Sequence, residues 1–255
     1  MLNVHAHPRY LHGVFVPRRL LYLIASLLLI LWVADGIIAI RVEKRIATIV
    51  ENYSNLEVAP RVSAGGTPYT AALLSGTLPQ VSADVYDVDL PPFGMVNART
   101  EAINVEASPA QVLSGDLAGA QTELLRRTIS LDGVSLGRQL GIMDLDIANP
   151  YDISPAGGSV TEAKLTGTPE KFERPISVVV ALRLDGPMFR MTPRVIDFPE
   201  REEEIREAFT YEFDTRELPL ASQAQSVTLD GGSIRFSAEV RNTALEFSKL
   251  APLAK

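Results

Sequence analysis

The sequence predicts an α+β protein: one N-terminal transmembrane helix, then a single elongated domain of long, curved antiparallel strands wrapped with a few helices. Three patterns carry that prediction. Residues 20–40 form an almost unbroken apolar run, which at 1.5 Å per residue measures about 31 Å, the thickness of a hydrocarbon core. From residue 58 onward apolar residues recur with period two in short successive runs, as in strands with one covered face. Helical chemistry returns only at a few places, notably after Pro68, Pro109 and Pro199.

The first element is the anchor. Arg9, Arg18 and Arg19 precede the apolar run, and Arg41, Lys44 and Arg45 follow it. Read as a cleaved secretory signal, the run lacks a good processing site. Cleavage after Ala34 or Ala39 puts Trp32 or Ile37 at the third position upstream, where a small residue is required. An uncleaved anchor is therefore expected, although Asp35-Gly36 interrupts the run. The flanking basic residues nearly balance. Orientation is assigned with the short N-terminus inside, so that the long domain follows its anchor across the membrane.

Past Ile40 the apolar stripe narrows to Val42, Ile46, Ile49, Val50 and Tyr53 at helical spacing, with Arg41, Lys44, Arg45 and Glu51 opposite. This predicts a helix continuing to about residue 52 and docking on the domain. The resulting division is a cytoplasmic tail over 1–19, an anchor or uncleaved signal over 20–40, an amphipathic extension over 41–57 and an extracytoplasmic domain over 58–255.

Strands are expected at 58–64, 77–90, 102–107, 128–136, 143–147, 160–165, 176–184, 227–229 and 234–240. The last is led by the turn signal Asp230-Gly231-Gly232. In the second run the apolar set Val81, Ala83, Val85 changes face to Tyr86, Val88, Leu90, which predicts a bulge or bend. The run 176–184 is apolar on both faces, so it is covered twice, by protein or by an acyl chain. Thr67-Pro68 opens a short helix over 69–75 that Gly76 closes. A longer helix is expected over 200–213, with Glu200, Glu202, Glu203 and Glu204 at its positive end. Short helical turns are expected at 109–113 and 242–250.

Composition narrows the function. A net charge of −7 and the absence of a basic stripe after Arg45 argue against a nucleic-acid partner. There is no cysteine, so thiolate chemistry, disulfides and Cys-ligated zinc are excluded. Gly133-Val134-Ser135-Leu136-Gly137 matches a nucleophile elbow, but His5, His7 and His12 all precede the membrane segment, so no triad forms. His5-Ala6-His7 reads as a solvated tail rather than a metal site. Asp84, Asp87 and Asp89, and Asp144 with Asp146, read as exposed sides of strands, and the glutamates after Pro199 as a solvated helix start. The sequon Asn52-Tyr53-Ser54 lies on a predicted helix beside the membrane. No catalytic residue, cofactor or metal ligand is expected, which favours binding over catalysis.

The order of motifs resembles a known family. Ala34-Asp35 ends the membrane run, Arg41-Val42-Glu43-Lys44-Arg45-Ile46-Ala47 follows, and the domain opens with Pro60-Arg61-Val62-Ser63-Ala64-Gly65-Gly66-Thr67-Pro68-Tyr69-Thr70-Ala71-Ala72-Leu73-Leu74-Ser75-Gly76. Leu78-Pro79-Gln80-Val81-Ser82-Ala83 and Leu218-Pro219-Leu220 come later. Together these resemble the LmeA-like phospholipid-binding family of the actinobacterial cell envelope, over nearly the whole chain. Two departures are Tyr69, where the family tends to carry phenylalanine, and the acidity of 200–204.

The resemblance implies a non-enzymatic envelope protein with a tubular lipid-binding fold. Its implied partners are a phospholipid or other acyl-chain lipid, the membrane, and an envelope glycosyltransferase in lipoglycan assembly. The family supplies no residue-level contacts. Lipid-binding candidates are therefore apolar residues beside turns: Tyr69, Leu73 and Leu74, and Met188, Phe189 and Met191 around Pro187. A second, shorter resemblance, Ile147-Ala148-Asn149-Pro150-Tyr151 followed by Lys164-Leu165-Thr166-Gly167, is to the small β-sandwiches of water-stress and hypersensitive-response domains. It implies a non-catalytic structural module, or a scaffold regulating a membrane glycosyltransferase.

Overall fold

The computed structural model describes residues 17–54, 59–150, 158–196 and 199–246. A single helix, α1 (Arg18–Ser54), spans the first of these segments with 37 residues, about 55 Å. Asp35-Gly36 does not break it. Residues 18–34 are exposed throughout, whereas Val42, Ile46 and Val50 are fully buried. Those three recur every fourth residue, so they form one stripe, and the expected docking is what that stripe does.

Two open antiparallel sheets make the domain. The larger runs β1 (Arg61–Gly65), β2 (Thr77–Leu90), β3 (Gly94–Glu106), β4 (Gln121–Leu131), β11 (Ser233–Ala244) and β10 (Ser226–Asp230), in that spatial order. The smaller runs β5 (Asp146–Ala148), β6 (Val160–Gly167), β7 (Ile176–Asp185), β8 (Met188–Ile196) and β9 (Tyr211–Asp214). Between them lie α2 (Ala72–Ser75), α3 (Pro109–Ser114), α4 (Gly133–Leu140) and α5 (Glu202–Ala208). The mixture matches the α+β expectation, and neither sheet closes into a barrel.

The long strands of the larger sheet carry two apolar clusters on one inner face. Toward one end Leu78, Val81, Ala102, Val105 and Leu125 pack with Val42, Ile46 and Val50 of α1 and with Tyr69 and Val112. Toward the other, Val96, Ala98, Ile129, Leu131 and Phe236 pack against the smaller sheet through Leu165, Val178, Val180, Phe189 and Met191. The face of β7 that carries Val178, Val180 and Leu182 is therefore covered by protein, while Val179 on its other face is half-buried.

Several expectations hold at residue level. β2 has the expected bounds, and its register with β3 shifts between Val85 and Val88, where Asp87 takes φ 53°. Gly231 and Gly232 have φ 57° and 74°, joining Asp230 to Ser233 in the two-residue hairpin whose turn needs positive φ.

Other elements correct the reading. The strand expected over 128–136 starts at Gln121 and ends at Leu131, because the Asp132 side chain accepts from the Ser135 N–H and starts α4. The helix expected over 200–213 is a 3₁₀ turn (Pro199–Arg201) and α5, after which the chain becomes β9. There Phe213 lies opposite Phe189 of β8 and packs on Phe93 and Phe236. That aromatic cluster outweighs local helix preference. In place of a helical turn at 242, β11 runs on to Ala244, while 247–250, the histidines and Tyr151 lie outside the described residues.

Candidate functional site

The most constrained junction is where α1 leaves the domain. Asp35 is only 9 % exposed, and its carboxylate accepts the backbone N–H of Tyr69 at 2.8 Å and of Thr70 at 2.7 Å. These amides begin the 3₁₀ turn Tyr69–Ala71 that runs into α2, and free amides at a helix start favour a carboxylate acceptor. The charge that interrupts the apolar run is thus the peg that fixes the domain to its helix. A second peg lies farther along α1, where Glu43 Oε1 accepts from Ala64 N at 3.0 Å. A third contact is Gly115, at φ 73°, where an added Cβ would lie 3.2 Å from the Val42 carbonyl oxygen.

The residues 69–75 divide sharply between core and surface. Tyr69 is buried, and its hydroxyl donates to the Val112 carbonyl at 2.6 Å. Burial, with Glu43 and Asp35 nearby, pushes the phenol up to about 12, so it stays a neutral donor. Leu73 is partly buried against the same cluster, and Leu74 is 94 % exposed. Phe189 and Met191 are buried in the other cluster, with Met188 half-buried at the start of β8. The two candidate triplets therefore do not meet.

Sequence reading passed over a polar seam between the clusters. Thr100 of β3 lies directly opposite Arg127 of β4, and Ala238 of β11 lies opposite Arg127 on its other side. Arg127 is 7 % exposed and its Nη1 donates to the Pro219 carbonyl at 3.1 Å. Burial pushes its guanidinium down to about 10, so it stays charged at neutral pH. The fully buried Thr100 hydroxyl has no partner among the described residues. A signal did exist in the sequence: Leu125, Arg127, Ile129 and Leu131 share one face at period two, and Arg127 is the member that does not belong in an apolar core.

The opposite face of the large sheet is a polar recess of about 660 Å³. Its charges pair internally: Arg99 with Asp84 and Glu101, each at 3.1 Å, and Arg126 with Glu239 at 2.6 Å. Asp144 accepts from the backbone N–H and hydroxyl of Thr168, both at 2.7 Å. At the start of α5, Arg201 of the preceding 3₁₀ turn pairs with Glu204, and Arg206 pairs with Glu202, so the acidic helix start is a solvated, salt-bridged surface. Among the described residues no group of three or more His, Asp or Glu side chains is placed to hold a metal.

The Gly-x-Ser-x-Gly match is architectural. Ser135 is buried, and its hydroxyl donates to the Met95 carbonyl at 2.5 Å. The glycines on either side touch backbone: a Cβ on Gly133 would fall 2.1 Å from the Leu145 oxygen, and one on Gly137 2.2 Å from the Ile142 oxygen. The pattern lets α4 lie flat on the 142–145 turn.

No curated protein and no solved structure matches the chain. The family described as LmeA-like phospholipid-binding matches residues 33–239, beginning two residues before the Asp35 peg and ending in β11. The match takes in the docked half of α1, the polar seam and, apart from Leu245, both clusters, and on it the chain belongs to the LmeA-like phospholipid-binding family.

Proposed function

We propose that this protein is a single-pass, membrane-tethered phospholipid-binding protein whose domain lies on the extracytoplasmic side, and that it binds lipid without catalysing a reaction on it. The observation that carries the reading is the continuity of α1. One uninterrupted helix has an exposed apolar half, long enough with its neighbours to enter a bilayer, and a second half that is core to a phospholipid-binding domain. Cleavage after Ala39 would remove the Asp35 peg, which favours a retained anchor.

Within the domain, the Thr100–Arg127 seam is the reading's site for the lipid phosphate. A guanidinium presents paired donors that suit a phosphodiester. The two apolar clusters flank it along the strands, and an acyl chain that displaced part of either would have aliphatic and aromatic walls. Tyr69 and Leu73 belong to one wall, Phe189 and Met191 to the other, while Met188 at the start of β8 and Leu74 at the end of α2 lie at their margins. The test is extraction of fluorescent phospholipid from vesicles by the purified full-length chain. Saturable uptake is expected, and absence of uptake contradicts the reading. Support of an envelope glycosyltransferase in lipoglycan assembly follows from the family resemblance. Crosslinking in native membranes tests it, with recovery of no such enzyme as the adverse result.

A further inference from the structure

The apolar run is too short to cross a bilayer if it stops where the domain begins. From Leu20 to Ala34 it measures about 22 Å, some 8 Å less than a hydrocarbon core of about 30 Å. The deficit is made up only by continuing to Ile40, and the outer surface of α1 does stay apolar there, with Ile37 and Ile40 exposed. The next residue, Arg41, is exposed, as are Lys44 and Arg45. Basic side chains at this point suit the level of lipid phosphates. Asp35 then lies about 8 Å below the hydrocarbon boundary, five residues back along the helix.

The domain follows Asp35 down, because the peg holds the turn Tyr69–Ala71 at that level of α1. The chain around this turn is suited to such a place. No residue from 62 to 83 is charged, nor any from 107 to 115 in and around α3. Backbone groups in hydrocarbon must be satisfied internally. Here Ala71 N donates to the Pro68 carbonyl, Gly76 N to that of Ala72, and the carboxylate of Asp35 takes the two leading amides. At the end of α2, Leu74 is 94 % exposed.

We propose that residues 67–76 are immersed in the leaflet on the domain's side, with Leu74 among the acyl chains and Arg41, Lys44 and Arg45 at the phosphates. The partner is the phospholipid bilayer itself, and the domain's apolar cluster beside α1 then opens onto lipid at its own level. This rests on the retained anchor of the proposed function.

The chain offers its own probes, having no cysteine and a single tryptophan, Trp32, in the anchor. Full-length Leu74→Cys, Leu113→Cys and Met143→Cys variants, each labelled with bimane, are placed in vesicles of phosphatidylcholine and phosphatidylglycerol. All three positions are exposed, so the substitutions leave the core intact. Depth is read with lipids carrying a nitroxide on the acyl chain, and water access with iodide. The label at position 74 is expected to be quenched by the acyl-chain nitroxide and at least about fivefold less by iodide than at position 143, since water is scarce in hydrocarbon. Position 113, on the helix whose end abuts Val42 and Arg45, is expected to be shallower than 74. Equal iodide access at 74 and 143 with Trp32 shielded overturns the immersion and leaves the tether standing. Iodide access to Trp32 itself overturns both. Shielding of 74 without nitroxide quenching means a protein covers the tip, and also overturns the proposal.

Discussion

Replacing Asp35 with alanine removes the peg that holds the turn Tyr69–Ala71 on α1. Its carboxylate accepts two backbone amides, at 2.8 and 2.7 Å, one of them in a buried setting and the other partly buried. Hydrogen bonds to a charged group are worth about 1.5–3 kcal/mol each, and a buried donor left without a partner costs about 1–3 kcal/mol. Partial access of water to the Thr70 amide lowers the sum, giving a local loss of about 2–4 kcal/mol. That corresponds to about 30- to 1000-fold more frequent opening of the turn at 69–75.

Asp35→Asn keeps one acceptor oxygen and turns a donor toward the second amide, so it is expected to fall between wild type and Asp35→Ala. The assay is amide hydrogen exchange by mass spectrometry on the full-length chain in lipid nanodiscs, following peptides that cover 66–76. Peptides from β7 and β11, which belong to the other cluster, serve as internal reference and are expected to stay protected. Exchange in 66–76 that changes by less than about threefold in Asp35→Ala, well under 1 kcal/mol, would refute the reasoning.

Three further outcomes follow from the same structure. Arg127→Met replaces a buried guanidinium by an unbranched apolar chain; relief of desolvation offsets loss of the bond to the Pro219 carbonyl, so stability is expected to shift by no more than about 2 kcal/mol either way, while phospholipid uptake falls at least about tenfold through loss of phosphate pairing. A folded variant with undiminished uptake, checked by thermal unfolding and vesicle extraction together, excludes the seam as headgroup site. Ser135→Ala is expected to cost about 1–2 kcal/mol through the orphaned Met95 carbonyl and to leave uptake unchanged; stoichiometric fluorophosphonate labelling of Ser135 in the wild type would instead reinstate a hydrolase. The Asp144 carboxyl is held below its ordinary 3.8 by the backbone N–H and then the hydroxyl of Thr168. Its contribution is therefore present above about pH 4 and is lost as pH falls through the depressed folded value. Melting curves of wild type and Asp144→Asn should converge in acid, and a gap of constant size across that range would show that the charge is irrelevant.

What the sequence made legible was whatever rests on local periodicity. The stripe Val42, Ile46, Val50 marks the docked part of α1, and the face switch after Val85 marks the bulge that the register with β3 contains. Gly76 and the Gly231-Gly232 pair mark positions of positive φ. What escaped depends on partners distant in the chain. β9 reads as the end of a helix until Phe213 is seen opposite Phe189. β8 was obscured because Pro187 and Pro193 bracket Met188, Phe189 and Met191, which then look like residues beside a turn rather than a strand with two of them in the core. The Asp35 peg links positions 35 and 69; in sequence Asp35 is only a flaw in an apolar run. Arg127 was visible as an anomaly of alternation, but its meaning came from lying between two clusters that only the folded sheet separates.

The central claim, a retained anchor joined to a phospholipid-binding domain, is most directly tested by native mass spectrometry of the full-length protein released from its own membrane in mild detergent. The account predicts a polypeptide mass that includes residues 20–40, with one or more phospholipid adducts that survive detergent removal. A mass beginning after the apolar run, or an intact chain carrying no lipid, would contradict it.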